Sequence, residues 1–174
     1  MVDTNNEYEL NNTVSNSNIA NYFQGTIASR GILLSAGNSD WTISNNKFFQ
    51  TATRTSTSAV QHMAIQVSNT AGNNFQVNGN TIGYSSSSAT GFTSMTSATS
   101  ATYQAIALSV GNAIASSVQG NTITNISFTT TSTTSTLGGA LCGISVTSGS
   151  VNIGDVTPNT IGAATGTGAI TLTP

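Results

Sequence analysis

Residues 64–83 read AIQVSNTAGNNFQVNGNTIG, and the stretch holds three short apolar alternations in a row: Ile65 with Val67, Phe75 with Val77, and Ile82 behind Asn80. Alternation of this kind marks a half-buried strand, and the Gly and Asn residues between the alternations are turn formers. Each alternation is too short to bury a core by itself, so the reading depends on whether the pattern repeats.

It repeats along the chain. An Asn followed two positions later by an apolar residue occurs at Asn12, Asn46, Asn80, Asn121 and Asn159, at intervals of 34, 34, 41 and 38 residues. A small residue followed by Ile, any residue, and Leu or Val occurs at Gly31, Ala64, Ala105, Gly143 and Ala169. From the Ile of this motif to the next Asn is 14, 15, 15 and 15 residues. Between the two motifs lies a third pair: Trp41 and Ile43, Phe75 and Val77, Ser116 and Val118, Val151 and Ile153. The expectation is three short strands per coil, with Ile32, Ile65, Ile106, Ile144 and Ile170 in one inward column, and Leu33, Gln66, Ala107, Ser145 and Thr171 facing outward.

A single coil leaves its inward Ile and Val exposed, whereas a coil above and one below cover them and satisfy its backbone hydrogen bonds. Like residues then stack at about 4.8 Å, the usual strand spacing. Asn46, Asn80, Asn121 and Asn159 are therefore expected to form a ladder at a turn, and Lys47, Thr81, Thr122 and Thr160 a line beside it on the outside. Length variation falls between each Asn motif and the next Ile motif, in Ser/Thr-rich stretches beginning at Thr51, Ser85 and Thr129. These read as excursions from one corner of the coil, rich enough in Thr to pair with one another as outer strands.

The GNTI turns at Gly79 and Gly120, the related NTI at Asn159, the GISV-type strands and the Ser/Thr-rich inserts resemble the right-handed parallel β-helix repeats of bacterial secreted and cell-surface proteins. The resemblance implies an all-β solenoid of about five coils over residues 10–174, preceded by a polar segment, residues 1–9. It also implies a secreted or surface location, with no signal peptide inside this stretch, but the family includes polysaccharide lyases, phage tail fibres and adhesins, so it leaves the role open. The leading expectation is a non-catalytic structural or adhesive module, with a polysaccharide-binding or polysaccharide-cleaving domain as the alternative. The uncapped stop at Pro174 suggests a piece of a longer array, or end-to-end self-association.

Composition narrows the function. Charged residues are 5% of the chain, against roughly 25% in an average soluble domain. The three basic residues, Arg30, Lys47 and Arg54, lie in the first third, so no basic patch is expected for nucleic acid, and no apolar run is long enough to insert in a membrane. Disorder goes with low hydrophobicity and high charge, the opposite of these recurring Ile and Val residues.

Glycan cleavage needs paired carboxylates, and Asp3, Glu7, Glu9, Asp40 and Asp155 do not fall at matching positions of adjacent coils. His62 is the only His; it reads as an exposed strand-edge residue rather than a metal ligand. Cys142 shares the parity of Ile144 and reads as an inward filler. No catalytic, cofactor or metal residue is therefore assigned. The surface candidates are Lys47, Thr81, Thr122, Thr124 and Thr160, and the expected partners are a glycan or a cell-surface protein. Thr122 and Thr124 also make one TxT pair resembling ice-binding β-helices, a third reading that needs such rows in every coil.

Overall fold

The computed structural model describes residues 10–134, 138–163 and 169–174, so the segment of residues 1–9 lies outside the described residues. The first coil carries β1 (Thr13–Ser15), β2 (Asn18–Ala20) and β3 (Ser29–Leu34). The second carries β4 (Thr42–Ser44), β5 (Lys47–Phe49), β6 (Arg54–Ser56) and β7 (Gln61–Asn69). The third carries β8 (Gln76–Asn78), β9 (Thr81–Gly83), β10 (Thr93–Ser97) and β11 (Thr102–Val110). The fourth carries β12 (Ser116–Gln119), β13 (Thr122–Thr124), β14 (Ile126–Thr129) and β15 (Leu141–Ser148). The fifth carries β16 (Val151–Ile153), β17 (Thr160–Ile161) and β18 (Ile170–Thr173).

Every pairing joins strands of successive coils in parallel, which makes the described chain an all-β parallel β-helix. Sheet 1 is β1-β4-β8-β12-β16 and sheet 2 is β2-β5-β9-β13-β17; sheet 3 is β6-β10-β14-β18 and sheet 4 is β3-β7-β11-β15. The three expected strands are present as sheets 1, 2 and 4. Sheet 3 is a fourth, and it is built from the Ser/Thr-rich inserts.

The register fixes the interior. Ile32, Ile65, Ile106 and Ile144 stand in one column of sheet 4, with Leu34, Val67, Leu108 and Val146 beside them. Sheet 1 contributes Val14, Ile43, Val77, Val118 and Ile153, and sheet 2 contributes Ile19, Phe48, Ile82, Ile123 and Ile161. Burying each such side chain is worth about 1.5–3 kcal/mol, so the aliphatic columns are the main source of stability. The small residue of the Ile motif marks a close approach: a Cβ on Gly31 would stand 2.8 Å from the Phe48 ring.

Two expectations are corrected by this register. Ile170 does not join the sheet 4 column; it pairs with Ile126 in sheet 3, so the AITL stretch is the fifth coil's insert strand. Asn12 shares the sequence motif of the ladder residues but precedes a strand of sheet 1, where Thr13, Val14 and Ser15 pair with Thr42, Ile43 and Ser44. The rung position of the first coil is Ser17, which precedes the Asn18–Lys47 pair. The inserts do pair with one another as strands, in sheet 3, but they also contribute to the core. Ser85–Thr90 forms a local loop closed by the Ser85 N–H on the Thr90 carbonyl, but Thr93 and Met95 beyond it are wholly buried.

Two consequences are testable. Deleting Ser85 through Ala98 removes β10 and its buried Met95, and is expected to abolish the cooperative thermal transition followed by circular dichroism. Retention of a wild-type melting curve would contradict the assignment of sheet 3. Ile106→Asp, at a fully buried position, is expected to destabilise by several kcal/mol, whereas Gln66→Asp on the outer face of β7 is expected to melt near wild type. Equal melting of the two would show the faces to be reversed.

Candidate functional site

The ladder residues are brought together as expected. In the turn between sheets 1 and 2 one residue takes a left-handed backbone conformation, φ 52° at Asn16, 56° at Asn45, 65° at Gly79 and 62° at Gly120, which explains the Gly or Asn before Ser17, Asn46, Asn80 and Asn121; Asn159 is preceded instead by Pro158. The rung itself points into the wall. Asn46 donates from its backbone N–H and its Nδ2 to Asn80 Oδ1, at 3.0 and 3.1 Å. Asn80 does the same to Asn121 Oδ1 at 2.9 and 3.0 Å, and Asn121 to Asn159 Oδ1 at 2.9 and 2.9 Å. The second Nδ2 hydrogen of each rung reaches back one coil, from Asn46 to the Val14 carbonyl, Asn80 to Ile43, Asn121 to Val77 and Asn159 to Val118.

Inside the bore lies a polar group the sequence reading missed. His62 is wholly buried, not exposed, because it stands in the inward column of Ser29, Tyr103 and Leu141. Its ring stacks on Phe23 with centroids 3.8 Å apart, and its Nδ1 shares a 2.7 Å hydrogen bond with Ser29 Oγ. Tyr22 and Tyr103 hydroxyls meet at 2.7 Å further along. Burial, with a smaller contribution from the Arg30 charge, lowers the His62 pKa to about 4, and burial raises both tyrosines. Ser29 and His62 have the atoms of a nucleophile and base, but both are sealed in the core, where no substrate reaches them. No sequence signal marked His62 as inward: its offset of three from Ile65 places it on the opposite face of a regular strand, and the two share the interior only because the strand kinks at Ala64, which the pairings on either side step over.

The same kink corrects Cys142. It falls in the column of Arg30, Met63 and Gln104, across the strand from Leu141, and is partly exposed; burial pushes its thiol up, away from a reactive thiolate. Asp40 accepts a 2.7 Å bond from Asn74 Nδ2 at a turn, and Asp155 is held by Gln119. Among the described residues there is no group of three His, Cys, Asp or Glu able to hold a metal ion, and no helix long and apolar enough to cross a membrane.

The outer faces carry the remaining candidates. Lys47, Thr81, Thr122 and Thr160 do stand in one column of sheet 2, and Lys47 Nζ donates to the Ser87 carbonyl at 2.6 Å. Thr124 is corrected: it is 4% exposed and cannot present a surface. Sheet 3 has what sheet 2 lacks. Thr55, Thr96, Thr129 and Thr173 form one outward column, and Ser94, Ser127 and Thr171 a second, with the Thr55 and Thr96 hydroxyls 2.9 Å apart. At the corner of sheets 3 and 4 a hollow of about 480 Å³ adjoins a second of about 300 Å³ on the outer face of sheet 4, and Gln61 lines both. The chain matches no protein-family model, no curated protein and no solved structure, so its function has to be argued from these surfaces.

Two predictions follow from the ladder and the bore. Asn80→Ala leaves a backbone N–H, an Asn46 amide hydrogen and the Ile43 carbonyl without their partner; at about 1–3 kcal/mol for each buried orphan, a loss of several kcal/mol is expected in urea unfolding. Asn159→Ala, at the last rung, is expected to cost less, and the reverse order would contradict the ladder. His62 binds its proton less readily folded than unfolded, so stability is full above the ordinary value of 6.5 and falls as the pH drops toward about 4. The loss should approach about 3 kcal/mol. Because His62 is the only His, His62→Phe should flatten this dependence between pH 7 and 4.5, and a wild-type protein already flat there would contradict the buried neutral imidazole.

Proposed function

We propose that the chain is a non-catalytic, extracellular structural and adhesive repeat module, a rigid β-helix that holds uncharged hydroxyl and amide faces toward a surface partner. The observation that carries this reading is the regular repetition of its columns: Ile43, Val77 and Val118 of sheet 1 and Phe48, Ile82 and Ile123 of sheet 2 stand in register and are buried throughout, while the outward positions of sheet 3 repeat uncharged Thr and Ser. Stacking by repetition suits a stalk or scaffold. The scarcity of charge suits contact with neutral, hydroxyl-bearing partners.

A second reading, adsorption to ice, is favoured by the two hydroxyl columns of sheet 3. Their spacing is about 4.8 Å between coils and about 6.6 Å along the strand, a regular two-dimensional grid able to order water. On sheet 3 one hydroxyl column runs through the second to fifth coils and the other through the third to fifth.

The first reading is tested by incubating the folded chain with a panel of neutral and acidic polysaccharides and measuring new reducing ends. No release above the buffer control is expected, and turnover of any member would overturn the non-catalytic reading. Thermal hysteresis or ice shaping abolished by Thr96→Tyr and Thr129→Tyr would favour the second reading over the first.

A further inference from the structure

We propose that residues 22–28 form an acid-released plug: protonation of His62 lifts Tyr22 and Phe23 out of the bore while the second to fifth coils stay folded. The first coil is built differently from the others. Among the described residues it has no strand in sheet 3, and between β2 and β3 it sends Tyr22 and Phe23 inward instead, 7% and 1% exposed. Both rings reach along the bore past the second coil. Tyr22 meets Phe48 edge-on and bonds to the Tyr103 hydroxyl, while Phe23 stacks on His62 and stands edge-on to Phe128.

Few bonds hold this segment. The Gln24 N–H donates to Ser29 Oγ, the Gly25 carbonyl accepts from the Thr57 N–H and the Ser56 hydroxyl, and Arg54 reaches the Phe23 carbonyl at 3.4 Å. No strand ladder runs through it, so it can leave without breaking a sheet. Asn21, at φ 58° and bound through its side chain to Thr51, is the fixed end. Arg54 is itself out of pattern. It stands at the foot of the interior column Leu172, Phe128 and Met95, a cation below three apolar side chains.

The trigger is His62. The Gln24 N–H already takes one lone pair of Ser29 Oγ, so the hydroxyl hydrogen goes to His62 Nδ1 and the imidazole proton sits on Nε2. Nε2 is wholly buried and has no hydrogen-bond partner among the described residues. A second proton has to enter at Nδ1, where it reverses the Ser29 bond and places a full charge under the Phe23 ring. That ring offers a cation some attraction, but burial outweighs it and, with the Arg30 charge, holds His62 at about 4. The surrounding groups give no relief. Arg30 on β3 and Arg54 on β6 are cations, and burial keeps the Tyr22 and Tyr103 phenols protonated. The described carboxylates, Asp40 and Asp155, are engaged at turns by Asn74 and Gln119. Withdrawing the ring that lies on the imidazolium is then the smallest rearrangement that hydrates it.

Hydrogen exchange of the whole chain at pH 7 and pH 4.5, with rates referred to those of an unstructured peptide, tests the plug. An opening that returns His62 from about 4 to its ordinary 6.5 is favoured roughly 50-fold more at pH 4.5 than at pH 7. The Gln24 and Thr57 amides are expected to be less protected than that of Ile106 at both pH values, and to lose protection by that factor on acidification. In His62→Phe their protection should be the same at both. Pepsin at pH 4.5 should cut wild type between Tyr22 and Phe23 and spare His62→Phe. Should His62→Phe not fold, Phe23→Ala carries the test: its Gln24 and Thr57 amides should already lose protection at pH 7, with Ile106 still the slower. The proposal is overturned if Gln24 and Thr57 exchange no faster than Ile106, if their protection is equal at the two pH values in wild type, or if either variant behaves as wild type does.

Discussion

A carboxamide has two hydrogens to donate and an oxygen that accepts twice, and Asn80 and Asn121 use all four capacities between three successive coils. No other side chain of that size does so. Asp lacks the donors, Ser lacks the reach, and a buried rung with any capacity left over would weaken the wall at about 1–3 kcal/mol per orphaned group. The ladder therefore pins each coil to the next at one defined residue, and the aliphatic columns of sheets 1, 2 and 4 fall into line because they lie at fixed chain distances from it. Asn46 has one acceptor bond fewer, since Ser17 below it offers a backbone N–H but no amide; the ladder tapers there.

Pinning at one turn leaves the opposite side of the coil free to vary in length. Loops such as Ser85–Thr90 absorb the differences, yet each insert then returns to place a strand in sheet 3, where Met95 stacks on Phe128 and Phe128 on Leu172. Variable length and regular register coexist because the loop and the strand are separate parts of the same insert. The outward hydroxyl columns of sheet 3 are a consequence of that arrangement: they sit on strands whose positions the ladder has already fixed.

Much of this was legible in the sequence. The Ile-to-Asn interval reflects three strands and two tight turns of constant length, so sheets 1, 2 and 4 and the Asn rungs could be read directly. Of sheet 3 only the ability of the Thr-rich inserts to pair was legible; its share of the core was hidden because its strands mix Thr, Ser, Met and Arg, as in Arg54–Ser56 and Thr93–Ser97, and their inward positions are only intermittently apolar. The AITL stretch misled for the complementary reason: Ile170 and Leu172 have the alternation of sheet 4 but follow Asn159 too closely to reach it. Cys142 was misplaced because parity was carried through Gly143, where the long strand kinks and changes face, and His62, read as an exposed edge residue, lies beyond the same kink at Ala64. The surface rows on sheet 3 could be seen only after that sheet existed, since the register of Thr55, Thr96, Thr129 and Thr173 depends on pairings the insert lengths conceal.

Native-state hydrogen exchange, resolved by residue with NMR, bears most directly on the ladder. The backbone amides of Asn46, Asn80 and Asn121 and their Nδ2 hydrogens should exchange only through global unfolding, with the same protection as Ile65 and Ile106 in the core. Exchange of those amides at the rate of the Ser85–Thr90 loop, while the core stays protected, would contradict the claim that the Asn column holds the coils in register.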